Sequence, residues 1–414
     1  MISRYLLYCF CFLLAAQQSM SQPTKKKLHA LSQQLDSFMQ AKVNAQTIPG
    51  AVLIIKKDGR IIHNKAYGYA QIYQSTDVKL PEPERMSTGH LFDIASLTKV
   101  TATTTAIMLL ADRGKLSVDD PVSKYIDGFS EAPKSAITIR HLLTHTAGLY
   151  EWYPMYYKAH TRAEVYELIH QLPLAFPVGK QRKYSDLGFT LLGEIIEKIS
   201  GKPLNVFVET EVFAPLGMTH TYYLPLTKNN TPPIAATSMG NPYENRMVYD
   251  SSLGFHFAEI NPTSWNGWRN YVLKGEVNDG NAWYGGQGIS GAAGIFSTAV
   301  DLQKLVDMLM NKGKANGKLF LHPQTISNFL TPDSFHNGLG WMMDPANSFM
   351  KNTPAGSFGH TGFTGTSICV VPSQHLSIIL LINRQQVGLL PSKEYVNVNP
   401  IRLFVVQTAE QYMH

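Results

Sequence analysis

Two side chains in the first quarter of the chain have the types and spacing of a nucleophile and a base. Ser96 and Lys99 are three residues apart at the start of a helix-like run, so the hydroxyl and the amine lie on one helical face, one turn apart. A serine hydroxyl is a weak nucleophile until a base accepts its proton, and a lysine in a dry pocket near other cationic groups can be neutral enough to accept it. The residues just before the pair are mostly apolar, which favours a buried position over an accidental surface pair: Leu91, Phe92, Ile94 and Ala95.

Tyr184 is a second candidate, because the segment Tyr184-Ser185-Asp186 stands directly before another helix-like run. A tyrosine hydroxyl at the junction of a loop and a helix can point into a cleft. The same segment has a structural interpretation, in which Ser185 or Asp186 caps the helix and Tyr184 packs against its first turn. The sequence leaves both interpretations open.

A third candidate is the segment His360-Thr361-Gly362, which precedes a pair of strand-like runs. The pattern predicts an edge strand whose glycine lets the backbone of a substrate approach closely. A single imidazole in such a place is more often structural than functional.

Two patterns that could bind a metal or a cofactor lack the context that they need. His141 and His145 are four residues apart, but no glutamate follows His141 as the zinc-protease pattern requires. The glycines of residues 286–291 have the spacing of a dinucleotide fingerprint, but no predicted strand precedes them. We therefore expect neither a metal nor a cofactor.

Both ends of the chain predict sheet and helix. Apolar, β-branched runs are joined across turn residues in two places, which is typical of antiparallel hairpins. A helix-like stretch follows the second pair. The runs cover residues 51–55 and 60–65, residues 366–371 and 376–382, and residues 401–411.

The middle of the chain predicts helices. The run after Ser96 stops at Arg113-Gly114, and the run after Asp186 stops at Gly201, as expected of helices that end in glycine. Thr298 and Asp301 resemble the start of a capping box before a third helix. Residues 227–282 show no clear period and are interpreted as a long ordered insertion of loops and short elements.

The first 21 residues have the layout of a secretory signal, with Arg4 followed by an apolar run over residues 5–16. We expect cleavage near Gln22. The run is shorter than the ~20 residues of a membrane-spanning helix, so we expect a periplasmic or secreted protein without stable membrane insertion. An uncleaved anchor is the alternative.

Composition limits the remaining functions. With 414 residues, 44% of them hydrophobic, the chain can bury a large core. The net charge of +6 includes a basic run at residues 25–27, but other cations alternate with acids, so we expect no binding to nucleic acid. Cys9 and Cys11 lie in the predicted signal, which leaves Cys369 as a packed strand residue without a disulfide partner.

Together the three candidate segments resemble the serine beta-lactamase family, which includes class C beta-lactamases, penicillin-binding DD-peptidases, family VIII esterases and muropeptide amidases. Ser96 and Lys99 match its Ser-x-x-Lys, Tyr184 matches the tyrosine of its Tyr-x-Asn, and His360-Thr361-Gly362 stands where Lys-Thr-Gly or His-x-Gly is found. Residues 138–149 and 291–299 extend this collinear resemblance, which covers about residues 30 to 385.

The resemblance implies a serine hydrolase that forms an acyl-enzyme. Ser96 would attack an amide or ester carbonyl, Lys99 and Tyr184 would move its proton, and the N–H groups of Ser96 and Phe363 would form the oxyanion hole. It also implies an α+β fold, in which a five-stranded antiparallel sheet flanked by helices is joined to an all-helical part. We expect the domain to span residues 22–414, with the sheet part at about 28–90 and 290–414 and the mostly helical part at about 91–289.

Two departures from the family pattern affect the substrate. Asp186 replaces an asparagine and cannot donate a hydrogen bond to a substrate carbonyl; it would instead hold Lys99 charged or bind a cationic group. His360 replaces a lysine, and we expect its charge to titrate around neutral pH. Both put tight capture of a substrate carboxylate in doubt.

The segment over residues 275–282 resembles the branch with cell-wall amidases and carboxypeptidases, which favours a small molecule or peptidoglycan fragment as substrate. Competing hypotheses are a carboxylesterase of the same fold and a module that binds penicillin or muropeptides with weak turnover. A lipid-surface esterase would need an exposed apolar rim. The oligomeric state is left open.

Overall fold

The computed structural model describes residues 25–76, 78–346 and 348–413. The predicted signal over residues 1–21, with its cysteines and cleavage site, lies outside the described residues.

Strands from the two ends of the chain form one sheet, and most of the helices lie between them in the sequence. The helices are α1 (Lys25–Asn44), α2 (Thr105–Asp112), α3 (Ile139–Leu143), α4 (Arg162–Gln171), α5 (Asp186–Ser200), α6 (Leu204–Phe207), α7 (Ala214–Leu216), α8 (Pro242–Tyr249), α9 (Ala299–Met310), α10 (Pro323–Phe329) and α11 (Asn399–Met413). The strands are β1 (Gly50–Lys57), β2 (Arg60–Ser75), β3 (Val78–Arg85), β4 (Phe92–Asp93), β5 (Ser238–Met239), β6 (Val272–Leu273), β7 (Phe296–Ser297), β8 (Lys314–Ala315), β9 (Lys318–Leu319), β10 (Phe358–Thr361), β11 (Ser367–Val371) and β12 (Leu376–Ile382).

Within the described residues the main sheet is antiparallel, with the order β10-β11-β12-β1-β2-β3. The predicted hairpins are confirmed as β1 with β2 and β11 with β12, and β1 joins the two by pairing with β12. The sheet has six strands where the sequence predicted five. The additional strand is β3, whose residues are mostly exposed and include Pro81 and Pro83, so it lacks the apolar alternation from which strands are recognised.

Helical layers cover both faces of the sheet. On one face, side chains of α1 and α11 form a single apolar cluster with alternate residues of β1, β11 and β12, including Leu380. The intervening residues, such as Leu381, join a larger cluster with α2, α5 and α9. Both clusters are buried, so the central strands read as continuous apolar runs.

The predicted helix ends are confirmed. Gly114 follows the C-cap residue of α2, and Gly201 is the C-cap residue of α5. Both have positive φ, of 65° and 67°. Thr298 caps α9 by accepting a hydrogen bond from the Asp301 N–H at 3.2 Å. In the described part of the chain, no helix has both the length and the apolar content needed to cross a membrane.

Candidate active site

Ser96 lies at a sharp bend between β4 and a π-helical segment, Lys99–Thr104, that continues into α2. The preceding residue, Ala95, has a φ of 46°, a left-handed conformation that is costly for alanine. The Asp93 carboxylate supports this bend by accepting hydrogen bonds from the N–H groups of Ala95 at 2.9 Å and Asn278 at 2.7 Å. Such a bend exposes the serine hydroxyl at the end of the sheet while the backbone around it is held rigidly.

Lys99 is completely buried beside Ser96. Its Nζ donates hydrogen bonds to Ser96 Oγ at 3.0 Å and to the Ala292 carbonyl at 3.0 Å, and it lies 2.7 Å from Asp186 Oδ1. The predicted pair of Ser96 and Lys99 is therefore assembled, with a carboxylate as the third member.

The charge state of Lys99 follows from these neighbours. Burial alone would lower the pKa of Lys99, but the charge of Asp186, assisted by Tyr184, outweighs it and raises the pKa above its ordinary value. The sequence left two possibilities, a neutral amine in a dry pocket near cations and an ammonium ion held charged by Asp186. The structure places a carboxylate there, so Lys99 rests as an ammonium ion.

Tyr184 faces the same pair. Ser185 caps α5 by accepting a hydrogen bond from the Gly188 N–H at 3.3 Å, and this fixes the turn from which the tyrosine projects. The ring of His145 packs against Tyr184 with a centroid separation of 4.5 Å, and Lys99 Nζ lies 5.1 Å from the tyrosine ring centre. Burial raises the pKa of Tyr184, although Lys99 opposes the shift. The structural interpretation is confirmed for Ser185 as the helix cap, and Tyr184 lines the cleft, where its catalytic role stays a prediction.

His360 is buried in the edge strand β10, and its ring centre lies 6.1 Å from that of Tyr184. Burial, followed by the charge of Lys99, lowers the pKa of His360 to about 3. The prediction that this residue titrates near neutral pH is therefore wrong, because a buried imidazole beside an ammonium ion cannot readily take up a proton. As a neutral group, it donates from Nδ1 to the Thr361 carbonyl at 2.9 Å.

The backbone after Thr361 places a second N–H group beside the nucleophile. Gly362 fits closely against the Ile94 carbonyl, and the hydroxyls of Thr364 and Thr366 donate to the carbonyls of Asp93 and Ile94 at 2.7 and 3.1 Å. Among the described residues, no acceptor is bound by the N–H groups of Ser96 and Phe363. Both groups are therefore free to bind an oxyanion, as the family resemblance implies.

These residues open onto a cleft of about 320 Å³. Its lining includes Ser96, Tyr184, Asp186 and Phe363. The described residues that line it do not include His360, Thr361 or Gly362. A larger cleft, of about 650 Å³, contains none of the predicted site residues.

The insertion over residues 227–282 forms the roof of this cleft with seven of its sixteen described lining residues, a role that the sequence did not reveal. Its contributions are Asn241, Tyr243, Glu244, Met247, Phe255, Asn278 and Asp279. Burial and the nearby charge of Asp186 raise the pKa of Asp279 to about 6. Among the described residues that line the cleft, four are acidic and none is Lys, Arg or His; the acids are Glu151, Asp186, Glu244 and Asp279.

The two rejected patterns have structural explanations. His141 Nδ1 accepts a hydrogen bond from the Thr138 N–H at 3.1 Å, and His145 Nδ1 accepts one from the Ser185 N–H at 3.0 Å. In the described ranges, no group of three or more His, Cys, Asp or Glu side chains is placed to hold a metal ion. Gly291 lies against the Phe189 carbonyl of α5, where a side chain would collide.

Comparison with known proteins agrees with this geometry. The beta-lactamase family pattern matches residues 35–396. The chain is 35% identical to an N-acetylmuramyl-L-alanine amidase of Bacillus subtilis (strain 168), over 91% of this chain and 86% of that protein. It is also 35% identical to a putative D-alanyl-D-alanine carboxypeptidase of Salmonella typhimurium, over 87% and 83% of the two chains.

Solved structures share the fold. A penicillin-binding-protein homologue from Caulobacter crescentus superposes with a TM-score of 0.69 at 19% identity, covering 95% of this chain and 99% of that one. EstCE1, a hydrolase with promiscuous acyltransferase activity, gives a TM-score of 0.65 at 23% identity, covering 92% and 99%. The chain belongs to the beta-lactamase family and is a serine hydrolase.

Proposed function

We propose that the protein cleaves an amide, peptide or ester bond through an acyl-enzyme on Ser96. One arrangement carries this proposal: Ser96 Oγ lies 3.0 Å from Lys99 Nζ in a cleft that also contains Tyr184 and the two free N–H groups of Ser96 and Phe363. A nucleophile, proton-transfer groups and an oxyanion hole in one cleft are the parts that acyl transfer needs.

The reaction follows from these positions. Ser96 Oγ attacks the substrate carbonyl carbon, and its proton leaves through Lys99 and Tyr184. The N–H groups of Ser96 and Phe363 bind the oxygen that becomes negative. The leaving group takes up the transferred proton, and water then releases the acid from Ser96.

We propose a peptidoglycan-derived fragment as substrate, because the relatives named above are an N-acetylmuramyl-L-alanine amidase and a putative D-alanyl-D-alanine carboxypeptidase, and both names refer to bonds found in peptidoglycan. Among the described residues that line the cleft there is no Lys, Arg or His, and His360 is neutral; both facts disfavour a free carboxylate beside the scissile bond. This supports an internal amide or ester over a terminal carboxylate-bearing dipeptide. The secretory signal predicted at residues 1–21 would bring the enzyme to such material.

The test compares the wild-type protein with Ser96→Ala on three substrates: a fluorescent penicillin, short acyl nitrophenyl esters and a muramyl peptide. We expect the wild type to hydrolyse the ester and the muramyl amide, and Ser96→Ala to lose at least about 10³-fold in kcat. Ser327→Ala, which changes an exposed serine of α10, serves as the matched control. Hydrolysis that persists in Ser96→Ala would contradict the proposal, and binding of a muramyl peptide without turnover would favour the binding module.

A further inference from the structure

We infer that Asp186 accepts the proton that Ser96 loses during acylation, by way of Lys99. This inference rests on the proposed acyl-enzyme reaction and assigns the end point of its proton transfer. It explains why a carboxylate stands where the family has an asparagine.

The contacts of Lys99 carry the argument. An ammonium group has three N–H donors and no lone pair. Its Nζ donates hydrogen bonds to Ser96 Oγ and to the Ala292 carbonyl, both at 3.0 Å, and forms an ion pair with Asp186 Oδ1 at 2.7 Å. The Tyr184 hydroxyl also interacts with it. Lys99 therefore cannot take a proton from Ser96 until it has released one.

Only one of these neighbours is a base that can receive that proton. The Ala292 carbonyl is a peptide group of negligible basicity, and Ser96 is the donor of the incoming proton. Burial raises the pKa of Tyr184, so its hydroxyl keeps its own proton. The Asp186 carboxylate is a base, and it lies 2.7 Å from Nζ in an ion pair. An asparagine in this position could not accept the proton.

The step balances in atoms and charge. Lys99 Nζ first passes one proton to Asp186 Oδ1 and turns the resulting lone pair toward Ser96. As Ser96 Oγ then forms its bond to the carbonyl carbon, the Oγ–H bond breaks and its proton moves to that lone pair. Lys99 is again an ammonium ion, Asp186 is a neutral carboxylic acid, and the negative charge lies on the substrate oxygen. When the tetrahedral intermediate collapses, the proton returns through Lys99 and Tyr184 to the leaving group.

Three other titratable groups lie near Asp186. Tyr184 precedes it on the same turn, Asp279 faces it from the insertion, and Glu151 lines the same cleft. Burial and the nearby charge of Asp186 raise the pKa of the Asp279 carboxyl to about 6, so the two acids interact.

The test uses the full chain and a nitrophenyl ester. We expect Asp186→Asn to lower kcat by about 100-fold or more at every pH from 5 to 9, with KM changed less than about threefold. Asp186→Glu should recover at least about tenfold over Asp186→Asn, because a carboxylate again reaches Lys99. Asp119→Asn, at an exposed surface ion pair, is the matched control and should leave kcat unchanged.

The result that would contradict this inference differs from the result that would contradict the proposed function. If Lys99 acts alone, Asp186→Asn will retain kcat within about threefold and its rate will rise with pH as the amine loses its proton. That result would overturn the inference while leaving the acyl-enzyme intact, whereas activity in Ser96→Ala would overturn the proposed function itself.

Discussion

The imidazole of His360 illustrates how burial changes the chemistry of one residue. Its pKa of about 3 in the folded protein lies below the ordinary value of 6.5. At a pH between these two values, folding therefore removes a proton that the unfolded chain would hold. The stabilising contribution of the neutral ring is therefore complete above about pH 6.5 and is lost as the pH falls toward 3.

We predict that His360→Gln loses less stability than the wild type between pH 7 and pH 4, because glutamine has no proton to gain. Urea unfolding at the two pH values measures this difference. For the same reason, the pH profile of kcat/KM between pH 5 and 8 should keep its shape in the variant. An acid limb near pH 6 that disappears in His360→Gln would contradict a neutral imidazole.

At the scale of elements, the site depends on how the end of β10 packs against the bend after β4. Gly362 has no room for a side chain, because an added Cβ would collide with the Ile94 carbonyl and with Thr366 Oγ1. The carbonyl belongs to the backbone that carries Ser96, so we expect relief of the collision to change the position of the Phe363 N–H relative to the nucleophile.

We predict that Gly362→Ala reduces kcat for ester hydrolysis by about 10²-fold or more, the loss typical of one misplaced oxyanion donor. Gly89→Ala is the control, since an added Cβ there meets nothing within 4 Å and its φ is not positive. Steady-state kinetics and thermal unfolding of both variants separate the two effects. Wild-type kcat in Gly362→Ala would show that the Phe363 N–H takes no part.

At the scale of the whole molecule, the sheet separates two buried layers. Leu380 and Leu381 are adjacent in β12 and both are 1% exposed or less, yet they belong to different apolar clusters. Because alternate residues of a strand point to opposite faces, each leucine fills a separate core.

We predict that Leu380→Ala and Leu381→Ala each lower the free energy of unfolding by about 2–5 kcal/mol, the usual cost of a cavity in a packed core. Ile61→Ala, at a side chain that is 50% exposed, should change it by less than about 1 kcal/mol. Urea titration followed by circular dichroism provides the measurement. A small effect in only one of the leucine variants would mean that one layer packs loosely.

Much of the fold and part of the site could be predicted from the sequence, because those features depend on local geometry. The spacing of Ser96 and Lys99, the glycine at position 201 and the continuous apolar runs of the central strands all follow from covalent structure and short-range pattern. The resemblance to the family then identified Tyr184, which its local setting left ambiguous between a packing and a catalytic role.

Other features were decided only by the tertiary structure. The ammonium state of Lys99 depends on Asp186, the neutrality of His360 depends on its burial, and the acidic roof depends on an insertion with no regular period. Segments far apart in the chain meet at these places, and the pKa of a group is set by the charges and the solvent exclusion that such meetings create. The sequence by itself therefore determined which residues are present and how neighbours are spaced, whereas the packing of distant segments determined their charge states and the shape of the cleft.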